Sequence, residues 1–166
     1  MIPHLIHTYQ FNLQHIEGLV KDLTDEQMVQ QPAGLVNHPM WTLGHLASAA
    51  NAVAVKGLGL ESTFPQEWEQ AFKTGGVPSD AASAYPTSKD EILAQLKSQH
   101  ERVTDELKQT DAEIFSKEFP DENMRKYFPT IGDFLVYLMS AHEGTHIGQL
   151  QTWKRAMGLV GGGGDS

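Results

Sequence analysis

The chain has 166 residues, 40% hydrophobic and 8% aromatic, with no cysteine and a formal net charge of −9 at pH 7. That length and composition suit one folded domain with a single core. The acidic balance and the lack of any polybasic run argue against nucleic acid or anionic lipid as a partner, and the missing cysteines remove disulfides, thiolate nucleophiles and thiolate zinc sites.

The first helical pattern runs from about Pro3 to Leu23, with Ile2, Leu5, Tyr9, Leu13, Ile16, Val20 and Leu23 recurring at spacings of three and four. Thr24 opens "TDEQMVQQP", a short helical turn ended by Pro32. A second helix is expected to start near "NHPMW", with Asn37 as its cap, and to reach about Gly57. Its apolar residues lie on two faces, so it should be well buried. Residues 58 to 86 read as a long connection rich in glycine and proline, with a short helix at "PQEWEQAFKTG".

The third helix opens at "SKDE", where Ser88 and Glu91 can form a capping box, and its stripe is Ile92, Leu96, His100, Val103 and Leu107. Residues 110 to 129 form a second connection, and the fourth helix runs from Thr130 to a stop at Gly158. No alternating strand pattern appears. These patterns predict an all-α four-helix bundle with a long connection between helices 2 and 3. It should be a single domain over residues 1–160, followed by a flexible glycine-rich tail, 161–166. No stretch approaches the ~18 apolar residues of a membrane span. The start "MIPHLIHTYQ" lacks the basic and apolar parts of a signal peptide. A cytoplasmic location is therefore expected.

The chemistry concentrates in "AHEGTHIGQLQTW" on helix 4, which holds a His-Glu-x-x-His match at His142, Glu143 and His146. The interior stripe of that helix reads Ile131, Leu135, Leu138, His142, His146, Gln149, Trp153 and Met157. Two imidazoles one turn apart in an apolar seam need polar partners. A metal ion meets that need, because i and i+4 imidazoles converge on one centre. A pair of hydrogen-bonded core histidines is the plainer alternative.

A zinc-protease site would want its third ligand downstream. The 20 residues after His146 contain no histidine, no glutamate and one aspartate, Asp165. Upstream, "WTLGHL" places His45 on helix 2, on the same face as Trp41, and makes it the best third ligand. Three imidazoles would leave coordination positions open, as catalytic rather than structural sites do. His100, also on an interior stripe, is the runner-up as third ligand and reads first as pocket-lining or as a support for the ligands. Glu143 is a candidate catalytic base, set against a solvated or supporting carboxylate, and Gln149 could orient a ligand. His4, His7, His15 and His38 pair with nothing at helical spacing and should lie at the surface or at helix ends.

The segments "NHPMWTLGHLA", "TFPQEWEQAF" and "TIGDFLVYLMSAHEGTHIGQLQTWKRAMGL" together resemble the DinB/YfiT-like metal-dependent family over nearly the whole chain. The specific part is W-x-x-x-H on helix 2, then H-x-x-x-H-x-G-Q on helix 4. The resemblance implies a four-helix bundle that binds one divalent ion, zinc or nickel, through His45, His142 and His146. It implies dimers in many members. It also implies a small-molecule substrate, handled by a metal-dependent hydrolase or by a transferase that uses a low-molecular-weight thiol. Lys154, Arg155 or Arg125 could supply a cation for such a thiol. In that family a glutamate after the first helix-4 histidine is ordinary, so Glu143 alone does not indicate a protease. A bundle with a purely structural metal is the competing reading.

Overall fold

Four long helices carry the structure, a computed structural model that describes residues 2–159. They are α1 (Ile2–Val20), α2 (Pro39–Ala52), α3 (Lys89–Gln109) and α4. Helix α4 has two α-helical parts, Ile131–Val136 and Glu143–Ala156, joined by the π-helical segment Tyr137–His142. A π-helical turn, Val53–Gly57, also extends α2. Among the described residues there is no strand, only one isolated bridge between Glu118 and Thr130. The expected domain end at residue 160 and the tail 161–166 lie outside the described residues.

The helix starts follow local chemistry. Thr24 with Gln27, Ser88 with Glu91, and Thr130 with Asp133 each form a reciprocal capping box. Each box satisfies backbone N–H groups that the first helical turn leaves without partners. Gly158 takes a positive φ of 68° just past α4, as a helix stop requires.

At α2 the cap is His38 rather than the expected Asn37. Pro39 fills the first helical position, where its missing N–H costs nothing. The buried His38 ring then accepts from the Trp41 amide through Nδ1 at 3.3 Å. With Nδ1 accepting, the proton sits on Nε2, which donates to the Ser79 carbonyl at 2.8 Å and lies 3.0 Å from the Tyr85 hydroxyl. One side chain thus caps α2 and pins the long connection to its start.

The connection continues through the short turn Gln66–Trp68 and helix Glu69–Phe72. Phe72 lies flat on the backbone of α2 at Gly44, where a Cβ would fall 2.1 Å from the ring. Only glycine permits that approach. In the same apolar cluster as Phe72, α4 is anchored by Trp153, fully buried, whose indole N–H donates to the Gln30 carbonyl at 2.7 Å.

The core falls into two apolar clusters along the bundle axis. One holds Ile16, Val20, Leu43, Leu46, Ile92, Leu96, Leu150 and Trp153. The other holds Leu5, Tyr9, Val53, Val103, Leu107, Leu135 and Met139. Between them in chain order fall Asn12 on α1, Gln99 and His100 on α3, and Glu143 on α4, all buried. The helices are apolar at both ends and polar in the middle.

Replacing His38 by alanine should lower the unfolding free energy by about 1–2 kcal/mol, the cost of a lost N-cap. His38→Asn, which can still cap, should recover part of it. Urea denaturation of the three proteins measures both effects.

Candidate metal centre

Helices α2 and α4 bring His45, His142 and His146 together, with one ligand atom of each within 4.8 Å of the others. His45 and His142 face each other through their Nε2 atoms at 3.1 Å. Tetrahedral ligands each at about 2.0–2.1 Å from an ion sit about 3.3 Å apart, so this spacing suits a shared centre. His45 and His146 are buried, and His142 is half-buried.

Each ring is held by its surroundings. Trp41 stacks on His45 with centroids 4.8 Å apart and planes 6° from parallel. His146 turns Nδ1 toward Gln149 Oε1 at 2.9 Å, and Asn37 Nδ2 donates to the same oxygen at 3.2 Å. An amide oxygen only accepts, so the His146 proton is on Nδ1 and the Nε2 lone pair is free for a metal. Nδ1 of His45 and Nδ1 of His142 are buried without hydrogen-bond partners.

Electrostatics keep the rings neutral. Burial, and then the neighbouring His146 and His142, push His45 down to about 4. Burial and His146 push His142 down to about 4 as well. Burial also lowers His146, against an opposing contribution from its Gln149 bond. Three unprotonated imidazoles with converging nitrogens are a donor set that fits zinc or nickel.

The other singled-out residues fall in different places. Glu143 is not among the converging ligand atoms. It is neither solvated nor poised over the histidines, because its carboxylate is buried with Oε1 2.8 Å from Nε2 of His100. The cause is the π segment, which adds a residue to one turn of α4. The buried stripe therefore runs Leu135, Met139, Glu143, Ile147 and Leu150, while Leu138 and His142 move to the half-buried edge. His100 lies in the core stacked on Tyr9 and is not among the converging ligand atoms. His4 and His7 are exposed. Asn37 acts on the site through Gln149, 112 positions away in the chain, and no local pattern carries that contact.

A family model described as the DinB superfamily matches residues 8–150. The chain belongs to the DinB superfamily. No curated protein matches it. Its structure is similar to the crystal structure of a conserved protein from Enterococcus faecalis, with a TM-score of 0.77 and 18% identity. That similarity covers 94% of this chain and 96% of the other, and it shows a shared fold. This DinB-superfamily chain is all-α, and among its described residues no helix is long and apolar enough to cross a membrane.

Two outcomes follow from the ring environments. The folded-state values of His45 and His142 lie below the ordinary value of 6.5. The metal-free fold therefore binds fewer protons than the unfolded chain at acid pH. Its stability should be full above about pH 6.5 and fall as the pH drops toward about 4. Urea midpoints of the metal-free protein across that window read this out, and a flat profile contradicts it. Separately, Gln149→Leu should weaken metal binding by roughly 10–100-fold, through loss of the bond that fixes His146. Competition with a chromophoric chelator measures it.

Proposed function

We propose that this protein is a metal-dependent enzyme in which His45, His142 and His146 hold one divalent ion, zinc or nickel. The observation that carries the reading is the convergence of three neutral imidazoles, one of them half-exposed, on a single point. A bound ion of this kind lowers the pKa of a water or thiol that joins it, and so supplies a nucleophile near neutral pH. Hydrolysis and transfer of a low-molecular-weight thiol to an electrophile are the two reactions that this chemistry serves.

The protein's own residues set how such a site works. Trp41 and Gln149 fix the planes of His45 and His146, so little ordering remains to be done when the site is used. A cleft of about 580 Å³ borders Gln149 and Thr145, and Leu35, Val36, Asn37 and Thr152 also line it. None of its lining residues is charged. Arg125 is engaged with Glu118 and with the Phe119 carbonyl, and neither Lys154 nor Arg155 lines the cleft. The lining of this cleft, which includes none of the three histidines, offers no charged group for a substrate to pair with. The resemblance to a family with many dimeric members is the ground for including a homodimer in this proposal.

A structural role for the ion is the second reading. It is supported by the burial of His45 and His146 and by the way the three rings join α2 to α4.

Metal analysis of the purified protein should find one divalent ion per chain, and His142→Ala should lose it. A panel of small thiols and electrophiles, and of hydrolysable esters and amides, should then be assayed metal-loaded and metal-stripped. Turnover lost on stripping, with helicity retained, is the result expected of an enzyme. Absence of a stoichiometric ion in both proteins overturns the metal reading, while melting of the bundle without any turnover supports the strut.

A further inference from the structure

Behind the three histidines lies a second polar group. Glu143, His100 and Asn12 are buried between the two apolar clusters in chain order, and Tyr9 and Thr104, on α1 and α3, are buried among the residues of the second. Nε2 of His100 is 2.8 Å from Oε1 of Glu143, although the ring is not aligned for a straight hydrogen bond. Tyr9 stacks on His100 with centroids 3.6 Å apart and planes 10° from parallel. The Tyr9 hydroxyl, Asn12 Nδ2, Thr104 Oγ1 and Glu143 Oε2 are all buried without hydrogen-bond partners. Stability alone is a poor explanation for this arrangement, because apolar side chains of similar size would serve at least as well. Buried polar pairs are better suited to fixing a register.

The register in question is that of α4. Glu143 is the first residue after the π segment, and its chain neighbour is His142. A π turn is rare, and its alternative is a regular α-turn. Such a change would rotate one part of α4 against the other by about 100°, one residue's advance. It would either carry Glu143 out of the core or carry His142 away from His45. A carboxylate that must find its buried partner blocks the change.

We propose that His100 is a positioning residue for the metal centre: by holding Glu143 in the core, it fixes the π turn and aims His142 at His45 and His146. The aim of His142 matters as stated only if the three-histidine reading is right, but the mechanical link can be tested without any metal. His100 touches none of the three histidines and acts through Glu143 and the backbone.

The test uses the metal-free full chain. His100→Phe keeps a flat ring against Tyr9 and removes Nε2, whereas His100→Gln can restore a donor near the same place. The primary measurement is the nuclear Overhauser contact between the His45 and His142 rings, whose centroids are 5.1 Å apart. The contact should be lost in His100→Phe and regained in His100→Gln. Glu143→Leu removes the carboxylate and keeps an apolar side chain of similar size in its place, so it tests the same link if His100→Phe fails to fold. It too should lose the contact.

Zinc affinity, measured by chelator competition, should fall about tenfold or more in His100→Phe and recover in His100→Gln. A residue that only supports the fold would lower the melting temperature and leave the ring contact intact. Persistence of that contact in folded His100→Phe or Glu143→Leu overturns the proposal, whatever the zinc affinity does. If the wild-type protein binds no zinc, the metal reading fails and the ring contact alone decides the proposal.

Discussion

The interior of this bundle must bury a carboxylate and several imidazoles in the middle of an apolar core. Polar groups at that depth are costly unless each finds a partner. The chain sets Asn12, Gln99, His100 and Glu143 between two apolar clusters, and several polar atoms there still lack a partner. His45 and His146 meet His142 on one side of α4, and Glu143 meets His100 on the other. The two groups are joined by one peptide bond, between His142 and Glu143. Stacking by Trp41 orients His45, and Tyr9 covers the face of His100.

Much of this was legible in the sequence, because helical periodicity and capping chemistry are local. The four long helices, the Ser88 capping box and the pairing of His142 with His146 follow from residues a few positions apart, whereas His45 joins them from α2, 97 positions from His142. The start of α2 was harder to place. Asn37 has the better capping side chain, but Pro39 shifts the helix start by one position and its neighbour His38 takes the role. The fate of Glu143 was not legible at all. A 3.6-residue period assumes an uninterrupted helix, and nothing in "YLMSAH" announces a π turn. The support of His146 by Asn37 was equally hidden, since it depends on two segments meeting across the fold.

The site is also unusual in its charge. The chain is acidic overall, yet the three candidate ligands are neutral and no carboxylate joins them. A divalent ion held by three neutral donors keeps its full charge, whereas each carboxylate ligand would cancel part of it. The uncharged cleft beside Gln149 does not oppose that field. The His-Glu-x-x-His string is therefore misleading here, because its glutamate belongs to the framework of the core.

The π turn in α4 has a further consequence for how this protein can vary. Side-chain replacements within Tyr137–His142 leave the phase of the helix unchanged, and with it the direction of every residue that follows. Deleting or inserting one residue there would turn the rest of the helix, Trp153 included, relative to its neighbours. Over this stretch, His142 apart, the number of residues sets the geometry of the site more than their identity does.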